Sequence, residues 1–299
     1  MRESRMACSS SRREFLRSTA ALMAAPALVN AERPALEREV GIVAATLAAH
    51  MEPRVPGGLK LNDLPRVIRQ ELGMRVIDMN TMNFAKLTPQ IAESFRSAAE
   101  KQNCVLTNLK LNQRNLDLGS ADENARAHAQ KVYRESIDAA AVMGMRWVRP
   151  LPRPREGSRR HLVEGLRRLD DYAQGKGLRV LVENFGWMQS DPDSVVNLIR
   201  EIDRGLPASP DTGNWSSNEV RYAGLTKTFP LAATCDFKAR TMGPDGEHPW
   251  YDLKRCFRIG WKTGFRGPWC IEHGNRDLKK LYAELRHLKT SLERWMRAA

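Results

Sequence analysis

Arg179-Val180-Leu181-Val182-Glu183 is a short run of strand-forming residues that closes on an acid. A run of this length is too short for a helix, and its unbroken apolar character suits a strand of a parallel sheet buried on both faces. Outward from it the same pattern recurs. Strands are expected at 40–46, 75–79, 104–109, 146–151, 179–183, 208–211, 233–238 and 268–272. Longer amphipathic stretches at 64–72, 89–102, 121–143, 158–175, 192–202 and 279–297 read as helices between them. Gly73, Gly144 and Gly175 stand where helices end, and Asp191-Pro192 reads as an N-cap followed by proline at the first helical position. The units average about 32 residues, close to a βαβ repeat, and eight strands is the barrel number. The expected fold is a single-domain (β/α)8 TIM barrel. No GxGxxG follows the first strand, which counts against an open doubly wound sheet. The sixth and seventh units are the weakest, because the segment after Asp211 is short and 241–251 is rich in Gly, Pro and charge.

The first 31 residues read differently. Ser11-Arg12-Arg13-Glu14-Phe15-Leu16-Arg17 precedes an alanine-rich apolar run over 19–29, with a cleavage site expected at Val29-Asn30-Ala31. This is the pattern of a twin-arginine (Tat) export signal, and the apolar run falls short of the ~20 residues that span a bilayer. The expected organisation is a signal over 1–31 and a barrel over 32–299, exported to the periplasm through the Tat translocase without stable membrane insertion. Cys104, Cys235, Cys256 and Cys270 remain after the signal, with no CxxC or Cys/His zinc spacing. Buried free thiols are expected, with a disulfide as the alternative.

The formal charge is +13 over 299 residues. The signal carries five arginines and two glutamates, which leaves +10 for the rest. The basic residues are scattered over helical segments without a nucleic-acid motif, so solvated helix faces are expected and no nucleic-acid partner.

Residues at the C-terminal ends of barrel strands share one site. Glu183, Asp211 and Glu272 all close expected strands, and three acids in equivalent positions repel one another unless a cation or a proton holds them together. Asp78 and Arg149, ending the second and fourth strands, can hydrogen-bond a polyhydroxylated ligand or form a salt bridge across the barrel. Asn184 and Asn214 follow two of the acids and can orient them or contact hydroxyls. Trp187 and Trp215 can stack on a sugar face or anchor their loops. His248 and His273 can serve the site or the structure.

Val182-Glu183-Asn184-Phe185-Gly186, Pro210-Asp211-Thr212-Gly213-Asn214-Trp215, Phe237-Lys238-Ala239 and the run from Gly264 to Glu272 occur in an order and spacing that resembles the xylose-isomerase-like TIM-barrel superfamily, in its sugar phosphate isomerase/epimerase branch. The resemblance implies a divalent metal on Glu183, Asp211, Asp236 and Glu272. Relatives commonly carry histidine where Asp236 and Phe185 stand. An all-oxygen donor set suits Mg2+ or Mn2+ better than Zn2+ or Co2+. The resemblance also implies proton transfer next to a carbonyl, with Glu183 and Glu272 as acid and base and Lys238 stabilising a developing enolate. A metal-dependent isomerase or epimerase of a sugar or sugar derivative is the expected function. The alternatives are a lyase or hydratase on an oxidised sugar and a carbohydrate-binding barrel without catalysis.

Overall fold

The structure is a computed structural model that describes residues 33–113, 115–152, 158–243 and 245–299. The expected export signal lies outside the described residues. From Leu36 to Ala299 the chain forms one compact unit. Its strands are β1 (Val40–Val43), β2 (Val76–Asn80), β3 (Val105–Leu111), β4 (Trp147–Pro150), β5 (Arg179–Val180), β6 (Cys235–Ala239) and β7 (Trp269–His273). All ladders are parallel, in the order β5-β4-β3-β2-β1-β7-β6.

The expected sixth strand, 208–211, is not a strand but a set of three isolated bridges. Pro207 and Pro210 have no N–H to give a ladder, so regular pairing cannot run through them. Each neighbour is nonetheless met. Ser209 N donates to Val182 O at 2.8 Å, while Ala233 N donates to Ala208 O and Asp236 N to Pro210 O, both at 2.9 Å. Bridges pair Val182 with Ala208 on one side and Asp211 with Asp236 on the other. This irregular segment stands in the eighth strand position and joins the two ends of the seven-stranded sheet.

Eight α-helices occur among the described residues: α1 (Leu64–Gln70), α2 (Pro89–Lys101), α3 (Glu123–Val142), α4 (Arg159–Gln174), α5 (Ser194–Ile202), α6 (Asn218–Thr228), α7 (Leu253–Lys262) and α8 (Leu278–Arg297). α6 and α7 fill the two units whose helices the sequence leaves open. Ser217 caps α6 by accepting from Val220 N, and Asp252 caps α7 by accepting from Arg255 N. α5 begins two residues later than expected. Asp191 accepts from Asp193 N, so it organises the turn before the helix instead of capping it.

α8 shows how the helices attach. Asp277 accepts from the backbone N–H groups of Lys279 and Lys280, and Leu281, Leu285, Leu288, Leu292 and Met296 form a buried stripe at helical spacing. Each such side chain contributes about 1.5–3 kcal/mol when fully buried. The main core lies between sheet and helices, where Trp269 packs against Phe229, Phe237, Phe257 and Phe265.

A second, small cluster holds Leu36, Val43, Val76 and Cys270, with Val105 and Trp147 packed against it. Side chains alternate across each strand, so this cluster shares the inner face with the polar residues two positions further along β2, β4 and β7. Cys104, Cys235, Cys256 and Cys270 are buried free thiols.

Candidate active site

Beyond the apolar cluster the inner wall becomes ionic. Glu183, Asp211 and Asp236 each present an oxygen within 4.8 Å of the other two, and all three residues are buried. The bridge between Asp211 and Asp236 places these two acids side by side, and Glu183 follows the residue that pairs with Ala208. Each acid meets a cation from elsewhere in the barrel. Arg149 Nε lies 2.7 Å from Glu183 Oε2, Lys110 Nζ 2.5 Å from Asp236 Oδ2, and Lys238 Nζ 3.1 Å from Asp211 Oδ2. Lys110 also lies 3.6 Å from Glu183 Oε2.

The charges set one another's proton affinity. Burial pushes the Glu183 carboxyl up, but Arg149, Lys110 and Lys238 together outweigh it and leave it below its ordinary value. Asp211 is raised to about 6 by burial, with Lys238 opposing. Burial pulls the Lys110 ammonium down, yet Asp236 and Glu183 overcome this and raise it, while burial pushes the Asp236 carboxyl well up with Lys110 opposing. The same balance, through Asp211 and Glu272, raises Lys238.

Asparagines brace the acids. Asn184 donates to the carbonyls of Asp211 and Asn214 and accepts from Asp211 N at 2.8 Å, which ties the segment after β5 to the irregular segment. Asp211 Oδ1 accepts from Gly213 N and Asn214 N, and Asn214 Nδ2 donates to Glu183 Oε1 at 3.2 Å. A side chain at Gly213 would sit 2.7 Å from Lys238 Cδ, so glycine there lets the lysine stem cross to Asp211.

Above the buried acids opens a cleft of about 370 Å³, lined by Phe185, Gln189, Asn214, Lys238, Arg240, Glu272, His273 and Gly274. Glu272 is 26% exposed, and its Oε1 lies 2.7 Å from Lys238 Nζ. Asn214 Oδ1 accepts from both Lys238 and Arg240, so it links the cleft wall to Glu183 below.

The remaining sequence candidates are held by contacts of their own. Asp78 is fully buried, accepts from Thr107 Oγ1 and Asn108 Nδ2, and is raised by burial. Trp215 is buried against Gly224, where a Cβ would come within 2.3 Å of the indole, so it anchors its loop. Trp187 donates to Pro152 O at 3.0 Å and stacks under Arg159. His248 Nδ1 accepts from the N–H groups of Trp250 and Tyr251 and its ring packs on Tyr251, so it shapes the loop before α7. His273 binds Ala239 O and Glu284 through its two nitrogens. Lys110 and Arg240 carry no sequence signal of the kind that marks the strand-end acids. Extending the third strand by two residues would have exposed Lys110 as a partner of Arg149, with which it is in register.

The three acids offer a divalent ion oxygen donors at suitable spacing, although each is already paired with a cation of the chain. Asp236 Oδ1 makes no hydrogen bond, and carboxylate oxygens are what Mg2+ and Mn2+ take. Glu272 stands apart from this cluster, paired with Lys238.

Solved structures share this fold. A D-psicose 3-epimerase from Clostridium cellulolyticum H10, with D-tagatose, superposes with a TM-score of 0.65 at 12% identity, covering 86% of this chain and 98% of that one. A xylose isomerase domain protein from Planctomyces limnophilus gives 0.64 at 18% identity, covering 89% and 99%. A xylose isomerase-like TIM barrel protein from Mycobacterium smegmatis in complex with magnesium gives 0.59 at 18%, covering 87% and 98%. No curated protein matches the chain by sequence. The sequence pattern of one family matches residues 69–299, and on that match the chain belongs to the xylose isomerase-like TIM barrel family.

Proposed function

We propose that the protein is an isomerase or epimerase of a sugar or sugar derivative that moves a proton next to a carbonyl. The observation that carries this reading is the pair formed by Glu272 and Lys238 on neighbouring strands at the edge of the cleft, 2.7 Å apart. A carboxylate beside an ammonium can take a proton from carbon while the ammonium neutralises the charge that gathers on the adjacent oxygen. Glu272 is the acid of the assigned pair that reaches the cleft. Glu183, 3% exposed and joined to the cleft through Asn214, is the second carboxylate of the pair, set below the cleft. Arg240 and Asn214 supply donors for hydroxyl or carbonyl oxygens in the cleft wall. A divalent ion held by Glu183, Asp211 and Asp236, Mg2+ or Mn2+ by its donors, would supply polarisation of substrate oxygens. The similarity to sugar epimerases of the same fold supports the sugar class.

The test is exchange of solvent deuterium into a panel of aldoses, ketoses and keto-sugars. Exchange at a carbon next to a carbonyl in at least one of them is expected. No exchange with any member, with the same sugars bound in calorimetry, would instead establish a carbohydrate-binding barrel. That second reading is favoured by the ion pairs that already occupy all three buried acids. Loss of water in the products would move the assignment to a lyase on the same proton abstraction. Residues 1–31 are proposed as a Tat export signal. Cell fractionation of the wild type against Arg12→Lys/Arg13→Lys tests it, with the chain leaving the periplasm in the double variant.

A further inference from the structure

Lys110 is the one lysine among the fully buried large side chains of the described residues, with 1% of its surface exposed. Strand register directs it. Lys110 pairs with Asn80 on β2 and with Arg149 on β4, so its side chain and that of Arg149 reach across the interior from the same stretch of wall. Its ammonium ends 2.5 Å from Asp236 and 3.6 Å from Glu183. These are two of the three acids whose oxygens converge within 4.8 Å. A protonated lysine has no lone pair and cannot ligate, and an ion among those oxygens would stand within a few ångströms of a like charge in a buried site of low dielectric.

We propose that Lys110 is the resident cation of the carboxylate cluster, its ammonium holding Asp236 and Glu183 together in the protein without metal, so that a divalent ion binds only by displacing it. The cluster is built for such an exchange. Asp236 Oδ1 makes no hydrogen bond, so an oxygen stays open for an incoming ion while Oδ2 holds the lysine. Arg149 and Lys238 already partner Glu183 and Asp211, so every acid of the cluster has a cation before any metal arrives. The inference depends on the cluster and stands apart from the identity of the substrate.

The test measures Mn2+ binding by calorimetry and by the loss of the free-ion EPR signal, together with thermal melting with EDTA or with Mn2+, on the full chain. For the wild type, melting unchanged by EDTA and Mn2+ binding no tighter than millimolar are expected. Lys110→Met keeps the apolar stem and removes the charge. It should bind one Mn2+ at least tenfold more tightly and melt several degrees higher with Mn2+ than with EDTA. Lys110→Gln is the second variant if the first folds poorly, and the gain in either should vanish when Asp236→Asn is added. A wild type that gives up one tightly held equivalent of metal to EDTA, with a fall in melting temperature, overturns the proposal on its own. So does a lysine variant that folds and binds Mn2+ no more tightly than the wild type.

Discussion

The centre and the mouth of the barrel are built from the same residue types, yet they differ in their access to water. At the centre, Lys110, Arg149, Glu183, Asp211 and Asp236 are almost entirely buried, and the cations pair with the acids. At the mouth, Lys238 and Glu272 pair at a similar distance, but Glu272 keeps a quarter of its surface exposed and Lys238 16%. A buried pair tolerates no loss of a partner, because the remaining charge has no solvent to return to. A pair at a cleft can lose one partner cheaply and exchange protons with an entering ligand. Stability should therefore live at the centre and turnover at the mouth.

The sharpest way to break this contrast is at the mouth. Glu272→Gln is expected to lower deuterium exchange by about 10²–10⁴-fold, the usual worth of a general acid or base. Its melting temperature should stay within a degree or two of the wild type. Exchange at the wild-type rate would sink the assignment of Glu272. At the centre, Arg149→Met leaves Glu183 without its closest cation and is expected to cost about 3–5 kcal/mol. For a chain of this size that is a fall in melting temperature on the order of 10 °C, read by circular dichroism.

His248 tests a buried group that has no opposite charge. Burial, with Arg221 next in effect, holds it at about 4. It is therefore neutral in the folded protein while the unfolded chain takes up a proton below its ordinary 6.5. Stability should be complete above pH 6.5 and fall toward pH 4, by at most about 3 kcal/mol. In His248→Gln this part of the pH dependence of denaturant unfolding should disappear, and an unchanged slope would refute the assignment. The smallest effect is expected when a whole pair is removed. Lys110→Met with Asp236→Leu should change stability by about 1 kcal/mol or less in urea unfolding, far less than either alone.

The acids that close strands are more legible in the sequence than the residues inside them. Glu183, Asp211 and Glu272 stand out because an acid closing an apolar run is a local signal, and a barrel brings such positions together whatever their separation. Asp236 emerges only through a family resemblance, since it lies inside its strand with Phe237 and Lys238 after it. Lys110 stays hidden for a related reason: its strand runs two residues beyond the apolar stretch, and no local pattern shows that a lysine points inward. His248 and Trp215 mislead in the opposite direction. One stands in the loop after the seventh expected strand and the other just after an acidic motif, but the first organises its own loop and the second fills the space left by Gly224. The strand expected at 208–211 fails on its prolines, although the segment does occupy the expected place in the ring.

The segment that carries Asp211 is also a seam. Every other joint of the ring is a ladder between regular strands, whereas this one rests on a few bonds spaced around Pro207 and Pro210. Cooperative opening follows the weakest joint, so the amides of Ser209, Ala233 and Asp236 should exchange with deuterated solvent before those of β1 and β2. A ring that parts beside its acids has a route by which a cation or a small polar molecule can reach the closed centre without unfolding the rest.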